Sequence, residues 1–334
     1  MTGPGGAITN VQRKLREWTR HIARTGFLDL NPDAGAAILL AGSGRSGTTW
    51  VSDIINYDNR LRYLFEPFFG REVPAFRHFA TRQYLRPECD DPRYLDPVRR
   101  VLTGRIRNRW VDNLNRRVVS RRRLVKDIRG CLLLAWIHRH FPEVPIVYLL
   151  RHPCAVAVSM GKMGWHPNLE RLYLSQPELV EDYLAPYLDV IRSSSTPFED
   201  RIVHWCVENF VALRQLDPAA SHLCFYESFC TDPETECRRL FAYLGEPLDE
   251  RAMAAITRPS ALSRKDSAIR TGSDLLNSWK REVSEEERQT ALHFLRAFGL
   301  DGIYSEESLP SPQAARALLG AGPVAGARVG SREP

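Results

Sequence analysis

The 334-residue sequence predicts an α/β fold in three layers, a central parallel sheet flanked by helices. Three observations carry this. The apolar run Ala37–Ala41 ends in a glycine-rich turn, and an apolar helical pattern opens at Thr48. Ile146–Leu150 is a second apolar run, closed by Arg151-His152-Pro153 and followed by a helical pattern from Ala155. Shorter strand patterns at Leu61–Phe65, Arg123–Asp127 and Leu223–Glu227 are separated from one another by helix-forming stretches. Strands that alternate with helices along a chain point to a parallel sheet.

Composition bounds the function. Hydrophobic residues make up 43% and charged residues 26%, and the net charge is +6, with far more Arg than Lys. A mild basic excess suits an anionic ligand but is no nucleic-acid footprint. Arg121-Arg122-Arg123 reads as a surface turn before a strand. Seven scattered Cys, without zinc spacing, read as reduced and mostly buried thiols. With no signal core and no apolar stretch long enough to span a membrane, the expected location is cytoplasmic.

In chain order, residues 1–35 form an N-terminal extension, Gly-rich at first, then with a basic amphipathic helix pattern over Val11–Ala23. Residues 36–305 form the domain, with an Arg-, aromatic- and Pro-rich insert at about 70–120 and a helical stretch at Pro97–Val111. Two amphipathic helices are expected over Glu178–Ser193 and Phe198–Gln215. Thr231 and Glu234 suggest a capping box for a helix ending before Gly245, and Ser284 and Glu287 suggest another. Residues 306–334, Ala-, Gly- and Pro-rich, read as a disordered tail.

The loop is the centre of the chemistry. Gly42, Gly44 and Gly47 allow a sharp turn and close approach to an anion. Ser43, Ser46, Thr48 and Thr49 offer hydroxyls, Arg45 a full charge, and the helix N-terminus its amides and dipole. The spacing Gly42-x-x-x-x-Gly47 matches the start of a nucleotide-triphosphate P-loop. Thr48, however, stands where such a loop needs the Lys that holds the β- and γ-phosphates. The loop therefore suits a smaller anion without a metal, such as one 5′-phosphate bearing a leaving group.

The segment SGRSGTTW, Ser43–Trp50, resembles the 5′-phosphosulfate loop of sulfotransferases that use 3′-phosphoadenosine 5′-phosphosulfate (PAPS). LLRHPCAVAVSM resembles that family's 3′-phosphate site, in which Arg and Ser at the spacing of Arg151 and Ser159 bind the 3′-phosphate. YLFEPFF, with Glu66 before Pro67, resembles the carbohydrate branch of the family. The resemblance implies the P-loop NTPase-like version of the three-layer fold. It also implies transfer of a sulfuryl group from PAPS to a hydroxyl of a carbohydrate, glycolipid or other small hydroxylated acceptor, giving PAP. By the resemblance Trp50 stacks on the adenine; from the residues alone it reads as core. Tyr226 reads equally as nucleotide neighbour or as packing. Arg270-Thr271-Gly272 resembles, loosely, the late loop that closes on the 3′-phosphate.

Glu66, expected to be held extended before Pro67, is the candidate base. Removing its water shell is expected to raise its pKa toward neutrality. Lys126 lies where the cytosolic branch has a Lys near the sulfuryl group. That branch has a catalytic His two residues later, and here the position is Ile128. Arg45 and Lys126 are the groups expected to neutralise charge in the transition state, with no metal. A plain salt bridge from Lys126 to Asp127 or another acid is the structural alternative. The rival functions are a P-loop phosphotransferase (a kinase) and a non-catalytic nucleotide-binding module.

Overall fold

The computed structural model describes residues 26–256, 274 and 276–324. The predicted Val11–Ala23 helix and Arg270-Thr271-Gly272 lie outside the described residues. The strands are β1 (Leu28–Asp29), β2 (Ala37–Ala41), β3 (Arg62–Phe65), β4 (Val119–Ser120), β5 (Arg123–Asp127), β6 (Ile146–Leu150) and β7 (Ser221–Phe225). β1 pairs with β4, and the other five form one parallel sheet in the order β3-β5-β2-β6-β7. All five therefore end on the same edge, where parallel α/β sheets present their ligand sites.

Strand residues alternate between two apolar layers. Leu39, Leu64, Val125 and Tyr148 belong to one cluster, with Trp136, Trp205 and Trp279. Ile38, Leu40, Leu124 and Leu149 belong to the other, with Val51, Ile54, Phe229 and Phe241. Burial on both faces explains why β2 and β6 read as unbroken apolar runs.

The helix α1 (Thr48–Ile55) leaves the loop after β2, and α2 (Pro92–Leu102) lies in the insert. After β5 comes α3 (Leu134–His140), and after β6 comes α4 (Pro153–Gly161), with Pro153 at its first turn. The long α5 (Pro197–Gln215) is opened by a capping box of Thr196 and Glu199. The helices α6 (Tyr226–Thr231) and α7 (Pro233–Tyr243) follow β7. Late in the chain, α8 (Glu285–Ala297) has the predicted Ser284–Glu287 capping box.

Several expectations are corrected. The cap of α7 is Asp232, which accepts from the Thr235 amide at 3.1 Å, so the Thr231–Glu234 box does not form. The expected helix over Glu178–Ser193 is broken into short α, π and 3-10 turns, with Pro186 interrupting the ladder. The insert is mostly turns, and α2 starts five residues before the expected Pro97. Its Phe76, Tyr84, Val98, Leu102 and Val111 join the main core. Arg123 is fully buried on β5, where Asp29 pairs with it at 3.0 Å, so only the start of the Arg121–Arg123 run is a surface turn.

Residues 306–324, expected to be part of a disordered tail, are ordered. The helix α9 (Pro312–Arg316) buries Ala315, the Gly322 amide donates to the Arg214 carbonyl, and Val324 donates to the Asp182 carbonyl. Arg214 returns a bond from Nε to the Gly322 carbonyl at 2.7 Å. A composition poor in large apolar groups is fixed here by backbone hydrogen bonds, which composition does not report.

Candidate active site

The loop after β2 is built as its glycines suggest. Gly47 caps α1 with φ 98°, and a Cβ there would lie 2.6 Å from the Tyr226 ring. A Cβ on Gly44 would meet Trp165 at 2.7 Å and Ile128 at 3.4 Å. Ile128 thus lines the loop, which brings the exits of β2 and β5 together. Arg45 itself adopts φ 72°, a left-handed conformation that costs a non-glycine residue about 1–3 kcal/mol. Such a cost is borne where surrounding contacts fix the backbone, and here they do. The Arg151 Nη1 donates to the Arg45 carbonyl at 3.1 Å, and the Arg45 Nε donates to Ser159 Oγ at 3.0 Å.

Arg45, Arg151 and Ser159 therefore converge at one mouth, between β2 and β6. The Arg151 guanidinium lies over Tyr226, 4.1 Å from the ring centroid, and the Arg151 carbonyl accepts from Trp205 Nε1 at 3.0 Å. Trp50, 5% exposed, packs against Tyr226 with ring centroids 5.1 Å apart and against Phe229 at 6.1 Å. Two buried donors at this mouth, Ser46 Oγ and Arg151 Nε, have no hydrogen-bond partner among the described residues. Buried polar groups are nearly always satisfied, so these two mark room for a ligand oxygen. Thr48 is buried in the first turn of α1, and Thr49 beside it is half-buried.

Glu66 stands at the end of β3, on the far side of β5. It is corrected in two respects. Its backbone is not extended: φ is 43°, and its amide donates to the Lys126 carbonyl at 2.7 Å while its carbonyl accepts from Trp110 Nε1 at 3.2 Å. Its carboxylate is not raised toward neutrality either. Burial pushes the pKa up, but Lys126 and Arg129 outweigh it and hold the group below its ordinary value. Lys126 Nζ donates to one oxygen and Arg129 Nη1 to the other, each at 2.6 Å. Desolvation alone, as expected from the sequence, omits the two cations.

The acid paired with Lys126 is thus Glu66, not Asp127. Asp127 is fully buried and accepts from the amides of Phe68 at 2.9 Å, Arg129 at 2.6 Å and Gly130 at 3.0 Å. It ties the exit of β3 to the exit of β5 and so fixes where Arg129 and Glu66 meet. Burial raises its pKa. Lys126, buried beside Phe65, is lowered by burial, which Glu66 offsets only in part.

Sequence reasoning missed Arg129, Trp110 and Asn209. Arg129 lies two residues past Asp127, a spacing that could have suggested it. Trp110 comes from the insert and packs on Phe65 and Phe69, and Arg129 lies 3.8 Å from the centroid of Phe69. Asn209, buried on α5, donates to Ser43 Oγ at 3.0 Å and accepts from the Tyr148 hydroxyl at 3.0 Å, holding the loop from behind. Nothing in the sequence marks an Asn inside a helix for that task.

A sequence model of the sulfotransferase family matches residues 37–250, a span that holds the loop, Glu66, Lys126, Arg151, Ser159 and Tyr226. The chain belongs to the sulfotransferase family. It is a PAPS-dependent sulfotransferase by that membership, and its α/β fold with a parallel central sheet is the one the sequence predicts. No curated protein matches it in sequence. Similar solved structures include a mouse sulfotransferase complexed with PAP, at 15% identity over 90% of this chain and 92% of that one, with a TM-score of 0.45. A sulfotransferase from Mycobacterium avium is 13% identical over 84% and 79%, with a TM-score of 0.43. The sulfotransferase domain from the curacin biosynthetic pathway is 14% identical over 81% and 98%, with a TM-score of 0.42. Among the described residues no helix is long and apolar enough to cross a membrane.

Proposed function

We propose that the sulfotransferase moves the sulfuryl group of PAPS to a hydroxyl of a carbohydrate, glycolipid or other small hydroxylated acceptor, with Glu66 as the base. The observation that carries this reading is the buried Lys126–Glu66–Arg129 cluster, one strand away from an anion loop with unsatisfied donors.

In this reading Ser43–Thr49 cradle the 5′-phosphosulfate, with Ser46 Oγ and the amides at the start of α1 as donors. Arg151 and Ser159 take the 3′-phosphate, helped by the late loop Arg270-Thr271-Gly272. Trp50 and Tyr226 form the adenine side. Arg45 is bonded to Ser159, so we assign it to the grip on the donor rather than to the sulfur's side. The acceptor hydroxyl gives its proton to Glu66 as its oxygen bonds to sulfur. The bond from sulfur to the 5′-phosphate oxygen breaks with its electron pair, and PAP leaves. Lys126, within reach of Glu66, and the loop amides neutralise the charge growing on that oxygen, where fixed donors contribute most.

Half-buried Phe69 and Trp110, with the flat guanidinium of Arg129, give the acceptor side aromatic faces and few polar groups. Such walls suit the C–H face of a sugar ring, which supports the carbohydrate reading. The seven cysteines are all unpaired, which suits a reducing compartment, and we take the cytoplasm as the place of action.

Glu66→Gln keeps the shape of the site and removes the base. Turnover with PAPS and a sulfated-product readout is expected to fall about 10²–10⁴-fold, the usual worth of general-base catalysis. PAP affinity by calorimetry is expected to stay within a few-fold. Near-normal turnover would make Glu66 a structural ion-pair residue only.

A further inference from the structure

A second opening lies at the other end of the sheet, where β3 and β5 begin. It encloses about 400 Å³ and is lined by Arg60, Arg117, Ser120, Arg121, Arg122 and Glu246, with Leu61 and Val119 as an apolar wall. The charges do not balance. Four Arg against one Glu leave an excess of three positive charges among the lining residues. Glu246 is fully engaged: one oxygen pairs with Arg60 at 2.7 Å, the other with Arg122. Asp58 adds only a 3.8 Å contact to Arg60.

Ser120 supplies the second, independent observation. It is 3% exposed, and its hydroxyl has no hydrogen-bond partner among the described residues. A buried hydroxyl without a partner keeps its full desolvation cost, and a ligand oxygen would remove that cost. Guanidinium groups are the side chains best matched to tetrahedral oxyanions, because they offer parallel N–H pairs. The volume falls within the range of small-molecule sites, and the apolar wall leaves room for an organic group behind the anion.

We propose that this cleft is a second binding site, which takes the phosphate or sulfate group of a small organic ester. It is separate from the donor mouth. The five residues of β5 place the two about 17 Å apart along the sheet at ~3.3 Å per residue. Arg121, exposed and without an ion pair to any described residue, closes over the ligand. Arg60 and Arg122 are held in place by Glu246, and Ser120 donates its hydroxyl from the floor.

Phenyl phosphate and phenyl sulfate are the probes, titrated by calorimetry into the full chain. Arg121→Ala and Ser120→Ala test the cleft, and Arg151→Ala tests the donor mouth. Saturable binding of either ester is expected in the Arg151→Ala chain. Affinity is expected to fall about 10-fold or more in Arg121→Ala, the worth of a charge-assisted hydrogen bond, and a few-fold in Ser120→Ala. Which ester binds more tightly separates a phosphate site from a sulfate site. The proposal is overturned if neither ester saturates the Arg151→Ala chain. It is equally overturned if affinity is unmoved in both cleft variants while their thermal melts match the parent.

Discussion

The two halves of the active edge are prepared in opposite ways. At the exits of β2 and β6, two buried donors stand without acceptors among the described residues: Ser46 Oγ and Arg151 Nε. At the exits of β3 and β5, the cations already have a carboxylate partner, since Glu66 bonds both Lys126 and Arg129. The first half gains when an anion arrives, because the desolvation of its donors is already in place. The second half spends its two cations on Glu66 and so keeps a carboxylate ionised in a buried place. In the proposed reading, donor binding and proton removal are separable tasks on neighbouring strands, and mutations can pull them apart.

After Glu66→Gln, the largest break in that contrast is expected from Lys126→Met. It removes one of the two cations on Glu66 and, in the proposed reading, the charge that Lys126 brings to the leaving oxygen. A charge-assisted bond in a buried site is worth roughly 1.5–3 kcal/mol, so kcat is expected to fall by about ten- to more than a hundredfold. The pH profile sharpens the reading. In the parent chain, Lys126 and Arg129 hold the Glu66 pKa below its ordinary value against burial. A depressed carboxylate is ionised above that pKa and loses its contribution only as pH falls through it. With one cation gone and burial unchanged, the pKa rises, and the acid limb of kcat/KM moves up in pH. A lowered plateau with an unmoved limb would mean that Glu66 is not the titrating base.

Legibility in the sequence follows the same division. The donor half is local in sequence. Its loop and helix start lie within Gly42–Trp50, and Arg151 to Ser159 is one strand end and one helix, so short-range patterns suffice. The Glu66 half is assembled across the fold, from the exits of β3 and β5 and from Trp110 in the insert. Glu66 and Lys126 could each be picked out, but their pairing could not. With it went the sign of the Glu66 shift, which depends on two cations brought in from 60 and 63 residues away along the chain. Arg45 shows the limit on the donor side. Its type and place in the loop were plain, whereas the turn of its side chain onto Ser159 depends on φ 72°, which no residue type but glycine announces.

On the donor half the expected losses are in binding rather than in the acid limb. Arg151→Ala removes a guanidinium that lies on Tyr226 and supports the Arg45 carbonyl. PAP affinity by calorimetry is expected to weaken about 10- to 100-fold. The acid limb of kcat/KM is expected to stay where it is, because Arg151 does not bond to Glu66. An unchanged PAP affinity would take Arg151 out of the donor site, and a moved limb would show that the two halves are coupled.

The smallest effect tests the hinge of the donor grip. Ser159→Ala deletes a neutral hydroxyl, which accepts from Arg45 Nε at 3.0 Å. A hydrogen bond to a charged group is worth about 1.5–3 kcal/mol, and at the low end of that range the direct loss in PAP affinity is about tenfold. The deletion also frees Arg45 to turn toward the phosphosulfate, where a full charge can offset part of that loss. The ratio of PAP to adenosine 5′-phosphate affinity separates the two contributions. If Ser159 meets the 3′-phosphate, PAP weakens while adenosine 5′-phosphate holds or tightens. If Ser159 only steadies Arg45, both ligands weaken alike.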